Sequence, residues 1–151
     1  MTKRSRMALL LVVMLMTGGI ASVWLQDTIA AQSNEASLPE DVGDLSNATT
    51  LEVKDSTGAM VLRGHFVDAP EDDDLERKAT LMGNTPNVTG TAEIEVSRTN
   101  NRLDQEVEVS VLNLAPDTAY TVFVDAKQLG TFRTNKNGKA EMELTTASLK
   151  K

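Results

Sequence analysis

Six acidic side chains crowd one short stretch of the chain: Asp68, Glu71, Asp72, Asp73, Asp74 and Glu76. Carboxylate oxygens are what a hard cation takes as ligands, so these six are the candidate metal ligands, and Ca²⁺ is the ion they would suit. The run lacks the alternating ligands and the sharp-turn glycine of a dedicated Ca²⁺ loop, and it reads better as a solvated acidic loop. A second acidic pattern is more regular. Glu93/Glu95, Glu106/Glu108 and Glu141/Glu143 each flank one apolar residue, so each pair lies on one side of a strand. Together they form an acidic sheet face, or simply the wet side of strands paired across to Arg98, Arg102, Arg133 and Lys139.

Other chemistries find few residues. His65 is the only histidine and there is no cysteine. A zinc site needs several nitrogen or sulfur ligands, and a thiol nucleophile needs a thiol. No Gly-x-Ser-x-Gly turn, phosphate-binding loop or dinucleotide fingerprint is present, which removes the common nucleotide and serine-hydrolase patterns. A pair of glutamates at glycosidase spacing is easy to find on any Glu-rich sheet. Sugar clefts, however, want aromatic platforms, and the few aromatics, Phe66, Tyr120, Phe123 and Phe132, are needed for a core. The expectation is therefore a protein without catalytic residues or a cofactor.

The elements that would position these residues have a period of two. Thr50 to Lys54, Ala59 to Val67, Arg77 to Met82, Gly90 to Ser97, Leu103 to Leu112, Thr118 to Asp125, Gln128 to Thr134 and Ala140 to Thr145 read as strands. Between them lie turn signals: Asp55 to Gly58, Pro116-Asp117, and Asn135 to Gly138, where Asn-Gly tolerates positive φ. Leu62, Gly64 and Phe66 share one face of their strand, with Arg63 and His65 on the other. The short last strand, from Ala140, is a candidate edge through which a partner could dock.

The chain begins differently. Lys3, Arg4 and Arg6 precede an unbroken apolar run from Met7 to Met16, which Gly18, Gly19 and Ala21 then interrupt with small residues. Those are the parts of a signal peptide, with cleavage after Ala21 or Ala30. The competing reading is an uncleaved anchor, since residues 7–25 carry no charge and are just long enough to span a bilayer. Residues 32–49, rich in Ser, Asn, Asp and Glu, read as a flexible linker. The formal charge is −7; taking Lys3, Arg4 and Arg6 from the 15 basic residues leaves 12 against 22 acidic ones, or −10. That sign opposes nucleic acid and anionic lipid as partners.

Two segments echo one another. Phe66-Val-Asp-Ala69 recurs as Phe123-Val-Asp-Ala126, and Gly90-Thr-Ala-Glu-Ile-Glu-Val96 as Gly138-Lys-Ala-Glu-Met-Glu-Leu144. The order is shared, so a duplication of a four-strand unit, 50–97 and 103–145, is expected. The competing explanation is convergence, because any half-exposed strand alternates in this way.

Leu114-x-Pro116-x-Thr118-x-Tyr120 resembles the entry to the sixth strand of fibronectin type III domains and their immunoglobulin-like kin. The resemblance covers residues 103–125. It implies that the Tyr120 hydroxyl ties to nearby backbone as a tyrosine corner, that the fold is a sandwich, and that the function is binding or spacing. The chain departs from the family in having no Trp on an early strand and two short strands downstream where the family has one. Only the role of Tyr120 and the sandwich class are carried over.

The sequence thus predicts residues 1–31 as a signal peptide or membrane anchor, 32–49 as linker, 50–147 as an all-β antiparallel sandwich of seven or eight strands, and 148–151 as a tail. It predicts a secreted or envelope-associated module for binding, adhesion or structural support. The alternative is a small Ca²⁺-dependent protein or hydrolase that uses the acidic loop.

Overall fold

A computed structural model describes residues 32–70, 75–99 and 102–146. The expected N-terminal helix and tail, and Glu71, Asp72, Asp73 and Asp74, lie outside the described residues. The described chain is all-β: β1 Gln32–Ser37, β2 Thr50–Lys54, β3 Met60–His65, β4 Val67–Pro70, β5 Leu75–Gly83, β6 Thr89–Thr99, β7 Arg102–Leu112, β8 Ala119–Val124, β9 Lys127–Arg133 and β10 Ala140–Thr145. The eight strands expected from alternation are all present. β1 is new, and β4 and the start of β5 take Asp68 to Pro70 and Leu75-Glu76 from what had read as an acidic loop.

The strands join one hydrogen-bonded path, β1-β10-β7-β6-β5-β3-β2-β8-β9, with β4 paired to β5 beside β3. Every pairing is antiparallel except β1 with β10. The two ends of the path approach each other, so the sheet nearly closes into a barrel. The Asn34 side chain spans the gap, donating to the Glu141 carbonyl at 3.0 Å on β10 and accepting from the Arg133 N–H at 3.4 Å on β9. The two separate sheets of a sandwich are therefore replaced by one curled sheet.

The core lies inside this curl. Val107, Val109 and Val111 of β7 sit between Ile94, Ala92 and Gly90 of β6 and Leu144, Met142 and Ala140 of β10. All nine are buried, and the small members sit opposite Val109 and Val111, which lets large and small side chains interdigitate. Gly130 on β9 faces the same layer: a Cβ there would lie 2.4 Å from the Met142 Cε. The β9 backbone therefore seals the core directly against β10.

The linker expectation for 32–49 is corrected. Leu38, Val42, Leu45 and Ala48 are all in the core, and the segment 38–48 covers one end of the barrel. It is fastened by side chains from far along the chain. Gln105 accepts from the Leu45 N–H at 2.7 Å and donates to the Gly43 carbonyl at 2.9 Å. Lys127 donates to the Val42 carbonyl at 2.8 Å, and Arg77 to the Ala48 carbonyl at 2.6 Å. A polar composition concealed the segment because its backbone groups are satisfied by these distant side chains rather than by a ladder.

The duplication is also corrected. In the first half the strands meander, β2-β3-β5-β6, whereas in the second the first strand pairs with the last, β7 with β10. The echoed tetrapeptides differ in burial: Phe66 is buried and Val67 is 64% exposed, whereas Phe123 is half-buried and Val124 is buried. The longer echo marks the two strands that flank β7, shifted by one pair: Ala92 opposes Val109, but Ala140 opposes Val111. Shared alternation on either side of one strand is what a half-exposed sheet demands of both neighbours.

The tyrosine corner expected of Tyr120 has its contact. Its buried hydroxyl accepts the Ala115 N–H at 3.1 Å, and its ring stacks on Phe132 with centroids 5.7 Å apart.

Candidate functional site

Of the six acidic-loop residues, Asp68 and Glu76 are described. The Asp68 carboxylate lies 2.9 Å from the Arg77 Nε, an ion pair off the hydrogen-bond direction. Glu76 has left the surface: it is 5% exposed and is ion-paired with Lys78.

The three glutamate pairs do converge. Strand register sets them in rows across β1, β10, β7, β6 and β5. One row reads Glu35, Glu143, Glu108, Glu93, Lys78, and the next reads Ser37, Thr145, Glu106, Glu95, Glu76. A third row, on the other side of the first, reads Ser33, Glu141, Ser110, Thr91, Thr80. Because side chains repeat every second residue, the three rows share the outer face of the sheet, about 7 Å apart. Eight carboxylates thus lie on this face with one ammonium, that of Lys78. A groove of about 800 Å³ lies over part of this face, lined by Glu93, Glu108, Glu141, Glu143 and Lys78 together with His65 and Val67.

Crowding shows in the acidities. Burial pushes the Glu93 carboxyl up to about 7, helped by a hydrogen bond to Glu76 and by the Glu76 charge, with Lys78 opposing. Glu106 is raised by burial first and then by the charges of Glu143, Glu108 and Glu95. Glu106, Glu108 and Glu143 each bring a carboxylate oxygen within 4.8 Å of the others. Like charges opposite one another on a sheet are destabilising; at about 5 Å each pair costs about 1–3 kcal/mol for an effective dielectric between that of water and ~20. The face lowers that cost by taking up protons, and a cation would lower it in the same way.

His65 lies outward, as its strand position requires. Ser33 and Ser110 line the same groove, but among the described residues no hydrogen bond joins His65 to a serine. The alternating sequence pointed to the acidic face. It did not point to Lys78, whose cross-strand partner is visible only once β5 and β6 are in register, nor to Glu35, which lay in the supposed linker.

No protein-family model, curated protein or solved structure matches the chain.

Proposed function

We propose that the chain is an exported, non-enzymatic binding module of the cell envelope whose acidic sheet face engages a basic partner. The carrying observation is the row Glu143, Glu108, Glu93, which stacks like charge across three strands in a concave surface. A sheet with only a structural role gains by alternating its charges; this one concentrates one sign where a ligand can reach it. The basic N-terminal residues, apolar run and small-residue break support export, either as a cleaved signal or as an anchor. Kinship with fibronectin type III or immunoglobulin-like domains is part of the same reading, supported by the Tyr120–Ala115 contact and opposed by the single sheet path.

Fluorescent oligolysine is a suitable probe. We expect saturable, salt-sensitive binding that weakens about tenfold, or about 1.4 kcal/mol, in a Glu93→Gln, Glu108→Gln, Glu143→Gln variant. Equal binding by both proteins would refute the assignment of the face. Turnover of ester, glycoside or peptide substrates that is lost with a single Glu→Gln change would refute the non-enzymatic reading.

The close approach of Glu106, Glu108 and Glu143 favours one second reading, a Ca²⁺-dependent protein with the ion on the sheet rather than in the loop. It requires millimolar Ca²⁺ to raise the melting temperature, since a ligand bound only by the folded state stabilises it by mass action.

A further inference from the structure

β10, which the sequence marks as a docking edge, is covered by β1, and β1 fits its place poorly. Its register sets Glu35 beside Glu143, adding a fourth carboxylate to the end of the row Glu143, Glu108, Glu93. Asn34 and Ala36 fall on the core-facing side, level with Met142 and Leu144. Yet Ala36 is exposed and Asn34 only half-buried, so neither fills the core beside Met142 and Leu144. The strand sequence, Ser-Asn-Glu-Ala-Ser over residues 33–37, is poor in the branched and aromatic residues that favour strands. Its pairing with β10 is also the one parallel pairing among the described residues.

β1 is tied across the gap by polar contacts of Asn34, to the Glu141 carbonyl and the Arg133 N–H, and not by apolar packing of Asn34 or Ala36. The core is closed beside it by β9, through Gly130 against Met142 and Leu144. The chain that follows is held by other contacts, from Gln105, Lys127 and Arg77 to residues 42–48. β1 can therefore leave while the barrel and its end cover stay in place, exposing the backbone donors and acceptors of β10.

We propose that β1 is a placeholder strand, and that the β10 edge beneath it is the docking site for an extended basic segment of a partner protein. The segment displaces β1 and pairs with β10 in its stead, with a Lys or Arg at the position of Glu35 and an aliphatic residue at that of Ala36. Charge complementarity selects it: a cation there faces Glu143 and extends the acidic row with the opposite sign. The backbone ladder supplies affinity, and the alternate side chains supply selectivity. The proposal rests on the acidic-face reading and adds a site and a mode of binding to it.

Two synthetic peptides of residues 32–38 test it, one with the natural sequence and one carrying Glu35→Lys and Ala36→Val. They are titrated against the full-length chain and against the full-length chain lacking residues 32–37. We expect the substituted peptide to bind the deletion variant about tenfold more tightly than the natural one, and the intact chain more weakly because β1 competes. Equal binding of the two peptides would overturn the selection for a basic segment. Failure of both peptides on a folded deletion variant, with oligolysine still binding the intact chain, would overturn the placeholder and leave the acidic face standing; loss of oligolysine binding as well would end both. Assembly of the deletion variant into dimers that exclude the peptides would assign the edge to a second copy and refute the proposal. Hydrogen exchange on the intact chain gives a reading that needs no variant. Amides of β1 should exchange through a local opening well ahead of those of β7 and β10; equal protection would show that β1 does not leave.

Discussion

Lys78 and Glu93 face each other across β5 and β6 with Nζ and Oε2 3.7 Å apart, yet the Glu93 carboxyl is pushed up to about 7. Burial is the main cause, and Glu76 is the next. Glu76 is buried on the same face and forms its own ion pair with the Lys78 ammonium. One cation serves two carboxylates, so the Glu93 carboxyl holds its proton more tightly than an ordinary glutamate does.

The pH dependence follows from the sign of that shift. A carboxyl whose acidity is weakened by folding contributes stability that is fully present below its ordinary value of 4.5 and lost as pH rises through about 7. With water reaching a third of the Glu93 side chain, the contribution is discounted to about 1–2 kcal/mol. Glu106 is shifted in the same direction. The melting temperature should therefore fall between pH 5 and pH 8, and Glu93→Gln should flatten the fall. A melting temperature that rises over this interval would contradict the upward shift of Glu93.

Gln105 is 7% exposed, and its amide holds both Leu45 N–H and Gly43 carbonyl. Gln105→Ala leaves these two backbone groups without their partners beneath the end cover. A buried group left unsatisfied costs about 1–3 kcal/mol, and chemical denaturation should show a loss of that size. Hydrogen exchange should place the first loss of protection in residues 38–48. Uniform loss across the barrel would mean that the cover is not a separate unit.

How much of this was legible in the sequence depends on where each residue finds its partners. Residues such as Val107, Val109 and Val111 signal their strand by themselves, because alternation is local and the core repeats it. The acidic face was legible for the same reason, as Glu106 and Glu108 alternate with those valines. Leu38, Val42 and Leu45 have no such period. Leu45 is held by Gln105, Val42 by Lys127 and Leu38 by Thr145, all far along the chain, and no local pattern encodes partners that distant. The curl of the sheet was hidden likewise: it depends on which strands pair, and the pairing of β2 with β8 joins residues that alternation alone cannot match. Tyr120 was readable because its partner, Ala115, is five residues away.

Tyr120→Phe isolates that short-range contact. The ring and its stacking on Phe132 survive, and only the hydroxyl that accepts the Ala115 N–H is removed. The loss should be about 1–2 kcal/mol, the cost of one part-buried backbone donor without its acceptor. Thermal unfolding measures it. A change under ~0.3 kcal/mol would show that water replaces the hydroxyl and that the corner is not a fastening.

The hairpin turn between β8 and β9 carries strain that one substitution can relieve. Asp125 and Ala126 both have positive φ, 45° and 69°, the conformation of a two-residue turn that favours Asn-Gly. Asp125 is kept there by function within the fold. Burial would raise its carboxyl, but hydrogen bonds from Thr49 and Thr50 outweigh it and hold the carboxyl below its ordinary value. It accepts both backbone N–H groups, at 3.0 and 2.9 Å, and so ties the start of β2 to the turn. Ala126 has no such role: it pays the cost of a Cβ in left-handed backbone, about 1–2 kcal/mol, without a compensating contact among those observed. Ala126→Gly removes that cost and loses about 0.5–1 kcal/mol to the greater freedom of the unfolded chain. The net expectation is a gain of about 0.5–1 kcal/mol, whereas Asp125→Ala should lose about 1–3 kcal/mol by stranding the Thr49 and Thr50 donors. Denaturant unfolding of the two variants beside the parent measures both. A destabilised Ala126→Gly protein would mean that the alanine methyl makes a packing contribution larger than the strain.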